Sequence, residues 1–541
     1  MSATVLLVLR DPSATFEHIR FQMQWSYAFT VLVLLVSYRT SDSARILAIF
    51  HFNGKSQFTM LENLMKGLAG KGHDVYVASH FPQKNKIPNY TDISLKGALP
   101  EIVNNFTVDF VRQFRSLELM NFVWNKNVED CEASLNHPVM KNLMKSNDTF
   151  DVLITGFFGG DCWIALAHKW KIPIISVIST SSSPWVNDRL MNPDNPSYIP
   201  NYFLSYTSEM NFKQRLINTI YYAITKWGQY YLSELPTDLL LRQHFGDDIP
   251  PVSELKKNTS LVLINSHFSI HRARPAVPAY VEVAGLHIAT PKPLPEDLDK
   301  FLSEAPDGVI YFSFGSLVKC ESLPKEKLQA FIDVFKLLPQ RVLWKIDGSL
   351  VKGLPPNVKT SKWLPQLDVL AHPNIRVFIS HGGLMGSLES VYAGVPIVGI
   401  PLFFDQIQNV EYLSNIGIAR KVDYEDIRKD TVYFALKSVL EDPSYKRTAK
   451  LISERFRDRP QSALDTAIFW TEYVIRHGGG AHLRSGAVDM PMYQYLLLDV
   501  IAVIILGPVS LLVLMWFMCK RTARFIFASE EDEKGVSKKK A

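Results

Sequence analysis

The segment Trp363–Gln406 brings together residue types that can hold a polar ligand at the edge of a sheet. Its apolar run Arg376–Ser380 predicts a buried strand that ends at His381. Gly382 and Gly383 follow, and they let the backbone approach a ligand closely because glycine has no Cβ. A helix is predicted to begin there, and its free N–H groups and positive end favour an anion. The segment therefore predicts a site for a diphosphate.

Other side chains of this segment could hold the rest of a nucleotide sugar. Glu389 lies about two helical turns beyond His381, where its carboxylate could accept hydrogen bonds from a ribose. Trp363 could offer a flat face to a base, and Asp405 and Gln406 could hold sugar hydroxyls. Each of these residues also has an ordinary structural explanation when it is taken alone. Their fixed order in one segment is what favours a binding site.

Strands and helices alternate on both sides of this segment. The apolar strands Arg45–Phe50 and Asp74–Ser79 flank a stretch, Phe58–Leu68, with apolar residues at helical spacing. A second series begins with the predicted strands Gly308–Phe314 and Arg341–Ile346. Such units build parallel sheets, whose ligands bind beyond the carboxyl ends of the strands. The sequence therefore predicts an α/β fold of two doubly wound, Rossmann-like domains that face each other across a cleft.

The length of 541 residues is too great for one core, and a proline-rich stretch marks the predicted division. We expect an N-terminal domain over residues 45–290, a linker over 291–306 and a C-terminal domain over 307–490. Beyond them, Val500–Met518 holds 19 residues without a charge, enough for one transmembrane helix. Basic residues follow it at once, so residues 519–541 are predicted to form a cytosolic tail.

The N-terminus resembles a secretion signal. The apolar run Trp25–Val36 follows Arg10 and Arg20 and precedes small and polar residues, which predicts a signal peptide over residues 1–44. Met23 would be a more usual start, so the residues before it could form an extension. The alternative is an uncleaved anchor. With cleavage, the two domains lie in the lumen and the protein crosses the membrane once.

Short motifs agree with a protein of the endoplasmic reticulum membrane. The chain ends in Lys538–Ala541, which resembles the dilysine retrieval signal of reticulum proteins. Four sequons lie on the predicted lumenal side, at Asn89, Asn105, Asn147 and Asn258. The motifs predict a glycoprotein whose catalytic domains face the lumen.

Composition excludes several other classes of protein. The net charge is only +5, and much of the surplus lies in the C-terminal tail, so no basic surface for nucleic acid is expected. The four cysteines, Cys131, Cys162, Cys320 and Cys519, are far apart and predict neither a disulfide framework nor a zinc site. One structural disulfide among the first three is left open. No metal site is apparent, and no Gly-rich dinucleotide fingerprint follows a strand.

The segment from Trp363 to Gln406 closely resembles the signature of the UDP-glycosyltransferases. It matches at the Trp, the Gln three residues later, the His-Gly-Gly, the Glu and the closing Asp-Gln. The stretches Asn195–Pro200 and Glu282–Ile288 resemble those of animal members, arthropod ones especially. The resemblance covers the chain from about Arg45 to the tail. It implies a GT-B fold, with UDP-sugar as the co-substrate and no other cofactor.

Carried over by position, the resemblance implies a role for each residue of the donor site. Those that would bind the nucleotide sugar are Trp363 and Gln366 for uracil, Glu389 for ribose, Ser316, His381 and Gly383 for the diphosphate, and Asp405 and Gln406 for the sugar. Family members transfer the sugar with inversion. A histidine usually removes the proton of the acceptor, and an aspartate orients that histidine.

The two positions of this histidine–aspartate pair hold other residues in this chain. They are occupied by Gln57 and Gly156, neither of which can act as a base. One explanation is an acceptor that is an amine or already acidic. Another is a substitute residue, for which His51 and Asp161 are the nearest candidates in sequence. A third is a protein that binds UDP-sugar or acceptor without turnover. The intact donor signature favours the first two.

The sequence therefore predicts transfer of a hexose, with glucose favoured, from UDP-sugar to a small lipophilic acceptor. The alternative is a silent lumenal subunit that binds UDP-sugar or acceptor. The expected partners are the UDP-sugar, the acceptor and the membrane, without nucleic acid. A homo-oligomer is left open.

Overall fold

A computed structural model describes residues 43–114, 116–156, 158 and 160–538, with side chains as far as residue 526. The predicted signal peptide, apart from its last two residues, and the dilysine motif lie outside these described parts.

The first sheet has seven parallel strands in the order β3-β2-β1-β4-β5-β6-β7. Most of its residues are buried, as expected for strands covered by helices on both faces. Beyond the carboxyl ends of β1 and β4, where the strand order reverses, a crevice is expected. The strands are β1 (Arg45–Phe50), β2 (Asp74–Ser79), β3 (Tyr90–Ser94), β4 (Val152–Gly156), β5 (Ile174–Ile178), β6 (Thr259–Ile264) and β7 (Tyr280–Glu282).

The second sheet has six parallel strands in the order β10-β9-β8-β11-β12-β13. The strand order reverses between β8 and β11, so a second crevice is expected beyond the carboxyl ends of these two strands. The strand β11, which was predicted to end at His381, forms one side of this crevice. The strands are β8 (Val309–Ser313), β9 (Arg341–Lys345), β10 (Val358–Ser361), β11 (Ile375–Ser380), β12 (Ile397–Gly399) and β13 (Ala419–Lys421). The predicted pair of doubly wound domains is confirmed.

Helices cover both sheets. In the first half these are α1 (Lys55–Gly70), α2 (Val108–Arg112), α3 (Ser116–Asn136), α4 (Pro138–Lys145), α5 (Ile164–Trp170), α6 (Pro184–Asp188), α7 (Phe212–Gln229), α8 (Leu235–Phe245), α9 (Val252–Leu255) and α10 (Phe268–His271). In the second half they are α11 (Glu296–Ser303), α12 (Lys325–Phe335), α13 (Gln366–Leu370), α14 (Leu384–Ala393), α15 (Gln406–Asn415), α16 (Lys429–Glu441), α17 (Pro443–Arg457), α18 (Ala463–Arg476), α19 (Met492–Tyr495) and α20 (Leu498–Lys538).

The predicted linker at 291–306 contains a helix. Its prolines indicated irregular backbone, but α11 begins directly after Pro295 and buries Leu298 and Leu302 against the second core. Proline suits the first positions of a helix, because its fixed φ fits there and its missing N–H is not needed. The domain boundaries that the linker defines stay a prediction.

Elements of each half pack on the other half. Val108 and Val111 of α2 are buried in the core of the second sheet. In return, Ala467 and Ile468 of α18 pack against the first core, where Gly67 of α1 leaves room for Leu464 and Ile468. The two halves are thus joined by exchanged helices as well as by the connecting chain.

Cys131 and Cys162 form a disulfide, which answers the question that the sequence left open. Their Cα atoms lie 5.9 Å apart although 31 residues separate them in sequence. The bond joins α3 to the segment before α5, behind the carboxyl ends of β1 and β4. Cys320 is a free, buried thiol and Cys519 a free, exposed one.

The C-terminal helix α20 contains the predicted membrane span. Within Leu498–Ile526 an 18-residue stretch has a mean hydropathy of 2.7 and is not buried, and the predicted span 500–518 lies inside this range. Near its start, a row of exposed apolar side chains follows α7 and α8. They are Phe212, Leu216, Ile220, Trp227, Tyr231, Leu235 and Leu239.

Loss of the disulfide is expected to destabilise the first half. Replacing both Cys131 and Cys162 by serine frees a loop of 31 residues, which should lower stability by about 2–5 kcal/mol. The measurement is the thermal unfolding midpoint of the full chain in lipid nanodiscs, with Cys519→Ser as the control. Equal midpoints for the double variant and the control would contradict a structural disulfide.

Candidate active site

A cavity of about 480 Å³ lies between the two sheets. Its walls come from the loops after the strands at both crevices, so both halves of the chain contribute to it. Of the residues predicted to bind a UDP-sugar, all but Gly382 line this cavity: Ser316, Trp363, Gln366, His381, Gly383, Glu389, Asp405 and Gln406. One cavity therefore brings together residues that span 90 positions of the sequence, from 316 to 406.

His381 precedes the N-terminus of α14, and its ring lies between Gly315 and Gly383. A Cβ added to Gly315 or Gly383 would lie 2.8 or 2.7 Å from its Nε2, so neither position tolerates a side chain without a shift. Gly315 and Gly382 also have positive φ values of 76° and 81°, which glycine adopts without strain. Burial, aided by the charge of Lys345, lowers the pKa of His381 to about 3. The imidazole is therefore neutral and can donate one N–H to a ligand.

Glu389 is held from two sides inside the cavity. The amide of Gln366 donates to its Oε2 at 2.7 Å, and Tyr311 donates to the Gln366 carbonyl at 3.2 Å. The Nε2 of His287 lies 3.8 Å from its Oε1. Burial raises the pKa of Glu389 to about 7, because its carboxylate has few partners that favour the charged form. Hydroxyl groups of a ribose would therefore stabilise the ionised carboxylate of Glu389 by donating hydrogen bonds to it.

Lys345, which the sequence interpretation missed, lies against the face of Trp363, which it had predicted. Trp363 is 66% exposed, and the Lys345 Nζ lies 4.7 Å from the centre of its ring. Lys345 also donates to the Gly315 carbonyl at 2.6 Å, and burial lowers its pKa. The sequence did contain a signal for Lys345, since it lies near the end of the predicted strand Arg341–Ile346, which is β9 and pairs with β8. Its charge lies beside the region expected to hold a diphosphate.

Asp405 and Gln406 end a loop that is fixed in shape. The side-chain carbonyl of Gln406 accepts hydrogen bonds from the backbone N–H groups of Leu402 at 2.9 Å and Phe403 at 3.2 Å. Asp405 accepts from the amide of Asn409 at 2.9 Å, and burial raises its pKa to about 6. The loop presents a carboxylate to the cavity with little freedom to move.

Of the two positions of the missing catalytic pair, Gln57 lines the cavity and Gly156 does not, and neither residue can act as a base. The side-chain carbonyl of Gln57 accepts from the Ser56 hydroxyl at 2.8 Å. At Gly156 an added Cβ would lie 3.3 Å from Phe50 and 3.5 Å from Leu61. A carboxylate at this position would face apolar side chains, which is unfavourable without a partner.

The two proposed substitutes for the base do not reach the cavity in the part of the chain that the structure describes. His51 is buried, and its Nε2 lies 3.8 Å from Cys131 Sγ and 3.9 Å from Cys162 Sγ. Asp161 pairs with the buried guanidinium of Arg189. Both side chains therefore support the structure behind the first crevice. The hypothesis that either replaces the base has no support from their placement.

The remaining wall of the cavity, on the first half, combines aromatic side chains with polar ones. Four phenylalanines line it, Phe52, Phe106, Phe122 and Phe158, together with Ile102 and Val123. Rings of this wall touch one another, since Phe52 and Phe158 have centroids 5.4 Å apart. Such a surface fits a flat, apolar molecule.

Comparisons with known proteins agree with this site. The family model described as UDP-glucoronosyl and UDP-glucosyl transferase matches residues 57–533. The chain is 39% identical over 515 residues to UDP-glucosyltransferase 2 of Dactylopius coccus, covering 94% of this chain and 99% of the relative. It is 31% identical over 541 residues to UDP-glucuronosyltransferase 2B1 of Rattus norvegicus, covering 93% and 98%.

Solved structures of glycosyltransferases share the fold. One is a UDP-glucose: anthocyanidin 3-O-glucosyltransferase in complex with UDP, with a TM-score of 0.53 at 17% identity. The match covers 80% of this chain and 99% of that one. At this level of identity the likeness shows the GT-B fold alone.

The raised pKa of Glu389 predicts how binding of UDP-glucose depends on pH. Ribose hydroxyls donate to the ionised carboxylate, so affinity should rise as the pH rises through about 7. Glu389→Gln should lose this step and bind about 10-fold more weakly, or worse, because a hydrogen bond to a charged group is lost. Calorimetry across neutral pH measures both effects, and any step from Asp405, near pH 6, should remain.

The matched control is Glu326→Gln, which changes an exposed glutamate of α12. If the control and Glu389→Gln showed the same pH profile, the carboxylate of Glu389 would not be the group that binds the ribose.

Proposed function

Because the chain belongs to the UDP-glucuronosyl and UDP-glucosyl transferase family and is a glycosyltransferase, we propose that it moves a hexose, with glucose favoured, to a small lipophilic acceptor with inversion. The observation that carries the proposal is the set of donor residues around Glu389, His381 and Asp405 in one cavity with an aromatic wall. The name of the Dactylopius relative supports glucose as the sugar.

The donor side of the cavity can assist the departure of UDP. The free N–H groups of α14, the neutral imidazole of His381 and the ammonium of Lys345 lie near where the charge of the leaving diphosphate would grow. Groups that stabilise the charge growing on the leaving diphosphate lower the activation barrier for every acceptor. This part of the chemistry does not depend on Gln57 or Gly156.

Apart from His287, no histidine or carboxylate from the described part of the first half lines the cavity. His287 does line the cavity, but it lies against Glu389 on the donor side, and burial lowers its pKa to about 4. We therefore infer that good acceptors bring an ionised oxygen, as carboxylic acids and acidic phenols do near neutral pH. A general base is typically worth about 10²–10⁴-fold, so plain alcohols should react slowly.

The lumenal side of the endoplasmic reticulum membrane is the proposed location. Supporting observations are the apolar helix Leu498–Ile526 and the disulfide, which persists in oxidising compartments. The four predicted glycosylation sites, Asn89, Asn105, Asn147 and Asn258, are exposed, as glycan attachment requires.

Release of UDP from UDP-glucose tests the proposed activity. Membranes that contain the protein should release UDP with acidic phenols and carboxylic acids, and far more slowly with plain alcohols. No release with any acceptor, while UDP-glucose still binds, would favour a silent binding subunit instead.

Gln57→His should widen the range of acceptors. The new imidazole can take the proton of a plain alcohol, so kcat/KM for alcohols should rise about 10-fold or more. The gain should stay modest because Gly156 supplies no carboxylate to orient the ring. Acidic phenols should change little. The control is Gln57→Asn, which alters the side chain without adding a base, and an equal gain for alcohols and acidic phenols would contradict the missing-base account.

A further inference from the structure

We propose that Lys126 forms an anion-binding subsite in the aromatic half of the cavity, and that the preferred acceptor is an aromatic molecule bearing a carboxylate. The inference rests on the proposed function, because it names the class of acceptor for the same cavity. Lys126 acts here as a specificity-determining residue and takes no part in the displacement.

The position of Lys126 follows from the periodicity of α3. Residues Phe122, Val123, Lys126 and Asn127 line the cavity at intervals of one helical turn. The Lys126 side chain is 14% exposed, so its ammonium is mostly surrounded by protein while remaining part of the wall. An acceptor that packs against Phe122 would therefore lie close to the ammonium of Lys126.

Two carboxylates hold the ammonium in place. The Nζ of Lys126 lies 2.7 Å from Asp130 Oδ1 and 3.3 Å from Glu129 Oε2. An ammonium has three N–H donors, so one is left for a ligand. Asp130 is fully buried and does not line the cavity, and its burial raises its pKa to about 7.

The surroundings favour an anion over a cation. Among the described residues of the first half, no acidic side chain lines the cavity, and Lys126 is the one cationic side chain that does. The neighbouring wall is built from phenylalanines and from small polar groups such as Ser179 and Thr180. Protonated amines would meet a like charge, whereas a carboxylate would gain a charge-assisted hydrogen bond.

The bound carboxylate is an anchor, distinct from the attacking oxygen. A nucleophile paired with an ammonium is stabilised in its ground state and attacks less readily. An acceptor such as a hydroxynaphthoate carries both groups, so its carboxylate can contact Lys126 while its hydroxyl faces the sugar, where the ionised fraction attacks and UDP leaves. Remote binding energy of this kind orients the reacting group, which partly offsets the lack of a base.

A matched pair of ligands tests the subsite without requiring turnover. Equilibrium dialysis measures the Kd of a hydroxynaphthoate and of its methyl ester for the full chain in nanodiscs. The wild type should bind the carboxylate about 10-fold more tightly than the ester. Lys126→Met should lose this preference, and Lys126→Arg should keep most of it. An unchanged ratio of the two Kd values in Lys126→Met would overturn the proposal.

Controls separate this inference from the proposed function. Lys141→Met removes a charge from an exposed position of α4 and should leave the preference unchanged. UDP-glucose affinity and thermal midpoint, measured on the same samples, report whether Lys126→Met is folded. If UDP-glucose binds and the wild type shows no preference for the carboxylate, the subsite alone is wrong. If UDP-glucose does not bind the wild type, the proposed function is wrong, whatever the acceptor ratio shows.

Turnover adds a readout that a merely structural role would not give. With the hydroxynaphthoate, Lys126→Met should raise KM about 10-fold and change kcat little, since the anchor acts in binding. With the ester, neither constant should change. A fall in kcat for both acceptors would overturn the assignment of Lys126 as an acceptor anchor.

Discussion

The chemistry of this protein depends on two sheets being held with their crevices face to face. Backbone hydrogen bonds fix this arrangement at one side of the cavity. Asn104 donates to the Ser316 carbonyl at 2.7 Å, Phe106 donates to Leu317 at 3.1 Å, and Lys319 donates back to Phe106 at 2.8 Å. Because Ser316 is itself a predicted donor-site residue, the contact joins the UDP-sugar loop directly to the acceptor half. Each half alone would have an open crevice in place of a cavity.

Burial between the two halves sets the electrostatic character of the donor site. It raises the pKa values of Glu389 to about 7 and Asp405 to about 6, and it lowers that of His381 to about 3. Hydroxyl and phosphate groups of a nucleotide sugar supply the partners that these side chains lack. The wall on the first half differs, since it carries several aromatic rings, and among its described residues no carboxylate lines the cavity. One cavity thus pairs a strongly polar donor side with a largely apolar acceptor side.

The sequence predicted the fold well because it depends on local order, and it placed most of the predicted donor residues in one short segment. Strands β1 and β2 begin and end where the apolar runs do, and the His-Gly-Gly turn needs no partner far away in sequence. Contacts between distant residues were not predictable in this way. The Cys131–Cys162 bond, the packing of α18 on α1 and the approach of Lys345 to Trp363 all depend on tertiary packing. The same holds for His51 and Asp161, whose nearness in sequence to the missing pair did not bring them to the cavity.

The central claim is that the donor machinery is complete while the activation of the acceptor is left to the acceptor itself. The most direct test measures kcat/KM at neutral pH for phenols of similar shape and graded pKa, with wild-type protein and UDP-glucose. The account predicts that the rate falls steeply as the pKa of the phenol rises, because only the ionised fraction attacks. A rate that hardly varies across the series would show that a base in the protein removes the proton, and would contradict the account.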